Sequence, residues 1–471
     1  CQPQNTDNER EIVDLIWFPT GGGKTEAYLG LTAFTIFYNR ISGQEAAGCD
    51  VIMRYTLRLL TAQQFQRAAL LFCAMEWLRN SIKALGEKPF WLGMYVGGDA
   101  TPNNRKDAVK KLKELKKDPH NKDNPFILLK CPWCGAKFGP KNKSDRGYIS
   151  VYGYHETKAK EGNGKTVVYR CEDSNCDFGV DFAKPNKPTL PISIIDEDII
   201  AKPPNMIIGT VDKFAMLAWK SGMRAIFGIG EDGFHKGLPP SLIIQDELHL
   251  ISGPLGSMVG AYETVIEELC KSDLNGNKLI PKIVASTATI SRAEEQVQSL
   301  YARNTVNLFP PSGLDAGDSF FSRESRNIDG SLQPGRMYMG VMAPAHGSMQ
   351  TSLARIYATL LQYPANMPVK NDNESERDPW WTLLSFFNSI RELGGASSLL
   401  VSDVKDYIKL IQNRHGFKVR RQLFNVIELT SRIRSDHIPL AISRLEEKVV
   451  RNDKGHLGNA VEVCLASNII E

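Results

Sequence analysis

The stretch from residue 12 to residue 28 decides the fold, and it runs Ile12-Val13-Asp14-Leu15-Ile16-Trp17-Phe18-Pro19-Thr20-Gly21-Gly22-Gly23-Lys24-Thr25-Glu26-Ala27-Tyr28. Ile12 to Trp17 is an apolar run typical of a buried strand, and a helical pattern begins at Thr25. Between them, glycines allow backbone N–H groups to close around a polyphosphate, Lys24 can reach its terminal phosphates, and Thr25 can hold Mg²⁺ at the helix N-terminus. The stretch therefore predicts a phosphate-binding loop between a strand and a helix.

The same order of apolar strand, turn and helix recurs along the chain. Further strands are expected at residues 51–55, 91–96, 206–209, 242–245 and 282–286, and a helical pattern covers residues 59–78. A second series follows, with strands at 382–387 and 423–429 and helices at 404–412 and 438–450. This alternation is typical of parallel sheets covered by helices. It predicts an α/β fold of two parallel-sheet domains, of which the second is expected to be incomplete.

Changes in composition suggest where these domains begin and end. From about residue 97 to residue 204 the alternation of strands and helices gives way to segments rich in Lys, Asn, Gly and Pro, with two cysteine pairs, which predicts an insertion in the first domain. A stretch rich in Pro, Gly, Ser and Asp predicts a linker. We expect the first domain at 1–98 and 205–308, the insertion at 99–204, the linker at 309–335 and the second domain at 336–471.

Length and composition exclude several classes of protein. The 471 residues, 42% hydrophobic and 23% charged, are too many for one small binding module and too apolar for a chain disordered overall. The net charge of +4 means that any affinity for nucleic acid must come from local clustering. No apolar run reaches 18 residues, so we expect no contact with a membrane. Scattered single cysteines fit a reduced, cytoplasmic protein.

Two polar motifs follow later strands of the first domain. Asp246-Glu247-Leu248-His249 ends one strand, where an acid can hold Mg²⁺ and a neighbouring Glu can polarise an attacking water. Ser286-Thr287-Ala288-Thr289 ends another, where hydroxyls can hydrogen-bond the acidic motif and couple the nucleotide state to movement. Alone, each motif could be an ordinary strand end or turn. Their order after the phosphate loop favours a shared site.

The two cysteine pairs predict a metal site. Cys131 and Cys134 enclose two residues, and Cys171 and Cys176 enclose four, a pattern that resembles a zinc ribbon. Four thiolates give a closed tetrahedral Zn²⁺ site whose role is structural, because no coordination position stays open for catalysis. Four free thiols are the alternative.

A basic stretch, residues 105–117, could present a helix face to phosphates, but a solvated surface is the favoured interpretation. Aromatic residues of the insertion, among them Trp133 and Tyr154, could stack on bases or form a small core. His235 and His346 are interpreted as loop residues.

Together these motifs resemble those of superfamily 2 helicases: the phosphate loop, the acidic box and Ser286 to Thr289. More narrowly, residues 17–28 and 53–64, with Gly209-Thr210-Val211-Asp212-Lys213-Phe214 and the cysteine pairs, resemble the helicase subunit of DISARM, a bacterial antiphage defence system. The resemblance implies two RecA-like domains, ATP and Mg²⁺ as cofactors beside Zn²⁺, an ATP hydrolase activity, and a protein partner subunit. It covers nearly the whole chain.

The resemblance also implies roles for individual residues. Lys24, Asp246 and Glu247 would be catalytic, and ATP and Mg²⁺ would be held by Thr20, Gly21, Gly22, Gly23, Lys24, Thr25, Asp246, Glu247 and His249. Coupling would fall to Ser286, Thr287 and Ala288. Nucleic acid would be contacted by Arg54, Arg58, Thr210, Lys213, Asn388, Thr430, Ser431 and Arg432.

The pattern departs from the family in two places. Leu248 stands where commoner variants have Ala, and the arginine-bearing motif that completes the ATP site is not found before Glu471. The second departure implies that this stretch binds ATP but hydrolyses it poorly.

The sequence thus predicts a nucleic-acid translocase or helicase driven by ATP, with strand movement between its two lobes. The expected substrate is DNA, single-stranded or with an overhang, although the residues leave DNA and RNA open. A nucleotide-dependent switch that remodels a protein partner is the second hypothesis, and a zinc-bearing DNA-binding scaffold is the third.

Overall fold

The fold is taken from a computed structural model that describes residues 7–17, 23–44, 46–56, 58–98, 100–118, 124–142, 149–179, 189–274, 277–287, 292–311, 314, 323–343, 347–369, 374–430, 432–433, 437–451, 457–458 and 460–467. The chain divides into two compact units, Cys1–Gln333 and Pro334–Glu471. The division falls inside the segment expected to be a linker, and the finer domain boundaries remain predictions.

Strands are found in both units and in the inserted segment of the first. They are β1 Val13–Trp17, β2 Val51–Tyr55, β3 Leu92–Tyr95, β4 Gly139–Asn142, β5 Ile149–Tyr152, β6 Tyr154–Lys158, β7 Lys165–Tyr169, β8 Ile192–Ser193, β9 Met206–Thr210, β10 Leu242–Gln245, β11 Ser272–Leu274, β12 Asn277–Leu279, β13 Lys282–Thr287, β14 Val306–Phe309, β15 Leu383–Phe387, β16 Val426–Leu429, β17 Val450–Arg451, β18 Leu457–Gly458 and β19 Val463–Ser467.

Helices connect most of the parallel strands. They are α1 Asp7–Glu11, α2 Lys24–Ile41, α3 Arg58–Ser81, α4 Arg105–Lys117, α5 Asp196–Ala201, α6 Val211–Phe214, α7 Gly253–Cys270, α8 Ala293–Tyr301, α9 Met349–Asn366, α10 Ile390–Val401, α11 Asp403–His415 and α12 His437–Leu445. None of the helices in the described ranges is long and apolar enough to cross a membrane.

The first unit is built on an eight-stranded sheet in the order β14-β1-β13-β10-β2-β9-β3-β8. Every neighbouring pair in this sheet is parallel. Successive residues of a strand point to opposite faces. In β2, Met53 packs in one hydrophobic cluster and Ile52 in another, and both are fully buried. The sheet is therefore covered on both faces, as parallel sheets require.

The insertion contributes to the first of these two clusters. Phe126, Tyr154 and Tyr169 are buried in the same cluster as Met53 of β2. The Tyr154 ring packs against that of Phe126, with centroids 4.7 Å apart, and its hydroxyl donates to the Leu128 carbonyl at 2.8 Å. The insertion thus shares its core with the sheet, and Tyr154 is a core residue.

The second unit has a three-stranded parallel sheet in the order β15-β19-β16. Leu393, Val404 and Leu465 pack in one cluster that joins α10, α11 and β19. The α/β fold class, with parallel sheets in both units and a cysteine-bearing insertion in the first, is confirmed. Helix α10 was not predicted, and the last predicted helix ends at Leu445 rather than at Val450.

Candidate nucleotide site, metal centre and nucleic-acid interface

The motifs of the first unit meet at one edge of the large sheet. The register pairs Trp17 with Thr287, and it pairs Gln245 with both Ala285 and Arg54. The carboxyl ends of β1, β13, β10 and β2 therefore lie side by side. Crevices at this edge are where open parallel sheets bind their ligands.

The end of the phosphate loop joins directly onto helix α2. Gly23 precedes the helix with φ at 88°, a left-handed conformation that favours glycine. Lys24 is the first helical residue, and Thr25 is buried in the first turn. The helix N-terminus adds a partial positive charge that favours phosphate. Thr20, Gly21 and Gly22 lie outside the described residues.

The Asp246 carboxylate is held from three directions. One oxygen accepts from the Ser286 hydroxyl and, at 3.0 Å, from the backbone N–H of Glu247. The other oxygen accepts from the Tyr28 hydroxyl at 2.8 Å. Hydrogen bonds of this kind fix the orientation of a carboxylate. The structure thus brings the acidic motif, Ser286 and the first turns of α2 into one network.

Glu247, the predicted general base, has a left-handed backbone and a shifted pKa. Its backbone is left-handed, with φ at 48°, a conformation that costs a non-glycine residue about 1–3 kcal/mol and that is concentrated at functional sites. Burial, reinforced by Asp246, raises the pKa of Glu247, while Lys24 and His249 act to lower it. A carboxylate with a raised pKa is a better proton acceptor near neutral pH.

His249 connects the acidic motif to the end of β13. Its Nδ1 lies 3.4 Å from the Glu247 carboxylate and 3.3 Å from the Thr287 hydroxyl. Together with the Ser286–Asp246 hydrogen bond, this gives two links between the motifs. Ala288 and Thr289 lie outside the described residues.

Sequence analysis missed two residues of this site, Tyr28 and Tyr55. The Tyr28 hydroxyl lies 3.0 Å from that of Thr25 and 3.3 Å from that of Tyr55. Burial, followed by the charge of Asp246, raises the pKa of Tyr28, so the phenol stays protonated. The helical spacing of three residues from Thr25 was the available signal, because such pairs share a helix face.

The four predicted metal ligands converge in the insertion. The sulfur atoms of Cys131, Cys134, Cys171 and Cys176 all lie within 4.8 Å of one another. Cys131 and Cys176 are 3.9 Å apart, and Cys134 and Cys171 are 3.4 Å apart. A tetrahedral site with Zn–S bonds of about 2.3 Å requires sulfur separations of about 3.8 Å. The donor set therefore fits a structural metal ion of the zinc type.

Arg54, an expected nucleic-acid contact, is fully buried beneath the sheet edge. Its guanidinium makes a bidentate ion pair with Glu263 of α7, which is itself only 5% exposed. Burial alone would lower the pKa of Arg54, but Glu263 outweighs it and the pKa is raised. In this structure Arg54 has a structural partner and no solvent-facing surface. A direct contact between Arg54 and a nucleic-acid strand would require the ion pair with Glu263 to break.

Lys213 and Thr210 are also buried. The Lys213 ammonium lies 2.8 Å from the Asp196 carboxylate and 4.9 Å from the Tyr95 ring centroid. The Thr210 hydroxyl is buried without a hydrogen-bond partner among the described residues. Asp196 begins α5 near the end of the predicted insertion, and Asp198 of the same helix pairs with Arg105 of α4 at 2.6 Å. These ion pairs connect the insertion to the segment that contains Lys213.

The other predicted nucleic-acid contacts are in varied positions. Arg58 begins α3, although its side chain is outside the described part of the chain. Asn388 and Arg432 are exposed, Thr430 is buried and donates to Glu428 at 2.7 Å, and Ser431 is not described. The nucleic-acid roles of these residues, like those of Arg54, Thr210 and Lys213, stay predictions.

Helix α4 contains the basic stretch of the insertion. Ala108, Leu112 and Leu115 are buried, whereas the opposite face is exposed at Lys106, Lys110, Lys113, Lys116 and Lys117. Three of the lysines lie near acids, as in the pair of Lys111 with Asp107 at 3.1 Å. The helix is amphipathic, and its basic face is solvated.

Known proteins that resemble this chain include a sequence relative and several solved structures. No family model matches the chain. The chain is 39% identical over 98% of its length to the DISARM protein DrmA of Bacillus paralicheniformis, of which it spans 42%. Solved structures similar to it include the Mycobacterium smegmatis helicase Lhr bound to ssDNA and AMP-PNP, with 12% identity, 99% of this chain and 39% of that chain covered, and a TM-score of 0.45.

Another similar structure is the DUF1998 helicase MrfA, with 10% identity, 99% of this chain and 49% of that chain covered, and a TM-score of 0.37. The sequence match is the informative comparison, because it extends over both units and the insertion. The resemblance to the DISARM system stated from the motifs is therefore confirmed: over nearly its whole length, the chain is similar to a part of the DISARM protein DrmA.

Proposed function

We propose that this chain is the ATP-hydrolysing part of a nucleic-acid translocase or helicase that acts in bacterial antiphage defence. The observation that carries the proposal is one hydrogen-bond network. In it the Asp246 carboxylate accepts from Ser286 and Tyr28, and the Tyr28 hydroxyl also contacts that of Thr25, one helical turn away. Such a network would place a magnesium-binding acid beside the first turn of α2, which contains Lys24 and Thr25. The relationship to the DISARM protein DrmA supports the role in defence.

The residues of the site would divide the work of hydrolysis. The bound nucleotide and Mg²⁺ supply the phosphoanhydride and the charge that activates it. Lys24 and the amino end of α2 would hold the phosphates, and Thr25 and Asp246 would hold the cation. Glu247 would orient a water and accept its proton, with His249 and Thr287 limiting its movement. The same links would pass the nucleotide state to the end of β13.

DNA, single-stranded or with an overhang, is the proposed substrate, and a further subunit of the defence system is the proposed protein partner. The four cysteines would bind one Zn²⁺ that holds the insertion together. A P-loop switch that remodels a protein partner without moving along DNA is the second candidate, because it would use the same ATP site.

ATP turnover by the full-length protein, measured with and without single-stranded DNA, tests the proposal. We expect DNA to stimulate turnover, and we expect both Lys24→Ala and Glu247→Gln to abolish the stimulated rate. Turnover that is indifferent to nucleic acid but rises with a protein partner would favour the switch. Absence of ATP binding would contradict both.

A further inference from the structure

The Tyr28 hydroxyl lies between the two groups to which the proposed function assigns the magnesium ion. It is 2.8 Å from the Asp246 carboxylate and 3.0 Å from the Thr25 hydroxyl. Tyr28 is 1% exposed, so no water competes freely for these bonds. The tyrosine is fixed on the same face of α2 as Thr25, three residues further along the helix.

The direction of these hydrogen bonds follows from the number of protons available. An ionised carboxylate only accepts hydrogen bonds, and a phenol has one proton to donate. The Tyr28 hydroxyl is the donor in its contact with Asp246 and also in its contact with Thr25, so the two acceptor oxygens share its one proton. One lone pair of the Thr25 hydroxyl is therefore directed at Tyr28, and the other lone pair is left for a further partner.

We infer that Tyr28 is a positioning residue that sets the Thr25 hydroxyl and the Asp246 carboxylate for Mg²⁺ before the nucleotide arrives. A hydroxyl coordinates a cation through a lone pair, so a fixed donor to one lone pair of Thr25 sets the direction of the other. The inference rests on the proposed function, because it concerns the same site. It adds that a tyrosine outside the phosphate loop controls the magnesium dependence of nucleotide binding.

Fluorescence titration with methylanthraniloyl-ATP tests the inference, first in Mg²⁺ and then in excess EDTA. In Tyr28→Phe we expect the affinity in Mg²⁺ to fall about tenfold, the effect of losing a hydrogen bond to a charged group. The affinity in EDTA should stay within about twofold, since the phosphate loop is intact. Equal affinities for Tyr28→Phe and the unmodified protein in Mg²⁺ would overturn the inference.

Tyr169→Phe is the matched control. Tyr169 is a buried tyrosine of the same hydrophobic cluster, but its hydroxyl has no hydrogen-bond partner among the described residues. We expect its magnesium dependence to be unchanged, and an effect equal to that of Tyr28→Phe would show a general loss of packing. Because Tyr28 acts partly through Thr25 and partly through Asp246, the double variant Thr25→Ala/Tyr28→Phe should lose less affinity than the sum of the two single losses. Additive losses would contradict the inference.

A measurement that keeps the hydroxyl covers the case in which Tyr28→Phe does not fold. With 3-fluorotyrosine at position 28, we expect the fluorine resonance to shift when Mg²⁺ and ATP are added together, and to move much less with ATP in EDTA. Identical shifts in both conditions would overturn the inference. Failure of the unmodified protein to bind the nucleotide at all would instead refute the proposed function.

Discussion

The Ser286 hydroxyl donates a hydrogen bond to the Asp246 carboxylate across two neighbouring parallel strands. Each residue follows the pair Gln245–Ala285, which is the last in register between β10 and β13. A shift of either strand end therefore changes the orientation of the proposed magnesium-binding acid. This contact links the position of the acid to the end of β13, where movement driven by ATP would begin.

Replacing Ser286 by Ala should uncouple DNA from ATP turnover. The hydrogen bond to a charged group contributes about 1.5–3 kcal/mol, so its loss should reduce stimulation by DNA roughly tenfold or more. Nucleotide affinity should change less, because the phosphate loop is untouched. Rates measured over a range of single-stranded DNA concentrations check this, with Ser299→Ala, an exposed hydroxyl on α8, as the control. Full stimulation in Ser286→Ala would contradict it.

Glu247→Gln should lose activity without losing stability. Removing a general base costs about 100-fold or more in turnover. Because burial and Asp246 raise the pKa of Glu247, its charged form is disfavoured in the folded protein at neutral pH. The amide removes that charge, so the thermal midpoint at pH 7 should be equal or higher. A clear drop in the midpoint would show that the carboxylate stabilises the fold.

The pH profile of turnover should have an acid limb set by Glu247. The base works only when deprotonated, so activity is lost as the pH falls through its raised pKa, above the ordinary glutamate value of about 4.3. His249 lowers this pKa, and His249→Ala should therefore move the acid limb to higher pH. His235→Ala, which alters an exposed histidine elsewhere, serves as the control. An unmoved limb in His249→Ala would contradict the assignment.

Variants of Arg54 distinguish a structural role of this residue from a role in binding nucleic acid. Arg54→Met alone leaves Glu263 buried without its partner, which should cost about 3–5 kcal/mol in the free energy of unfolding. The double variant Arg54→Met/Glu263→Leu should recover most of that loss, since apolar pairs replace buried ion pairs well. Chemical denaturation measures both variants. Should the double variant fold stably yet fail to bind DNA, Arg54 would be a nucleic-acid contact after all.

The cysteine cluster should contain about one zinc ion per chain. Cys131→Ser should lower both the zinc content and the thermal midpoint, because the insertion shares its core with the main sheet. Cys270→Ala, which removes a buried thiol remote in sequence from the cluster, should keep the zinc. Metal analysis of the purified variants checks the prediction. Zinc retained by Cys131→Ser at the original level would contradict it.

The sequence was sufficient to predict those parts of the candidate site that consist of short motifs. The phosphate loop, the acidic box and the cysteine pairs are each encoded within a few residues. The strand pattern indicates that the phosphate loop and the acidic box share one sheet edge. It could not indicate that Arg54 pairs with Glu263, because 209 residues separate them and many other acids were available. Helix α10 escaped prediction because Gly394 and Gly395 lie inside it and weaken its helical pattern.

ATP-driven displacement of streptavidin from biotinylated single-stranded DNA tests the central claim most directly, because it requires movement rather than binding. We expect the protein to displace streptavidin from one end of the strand in the presence of Mg²⁺ and ATP. We expect no displacement by Glu247→Gln, which should still bind both ATP and DNA. ATP hydrolysis stimulated by DNA without displacement from either end would contradict the account, and it would favour a nucleotide-dependent switch.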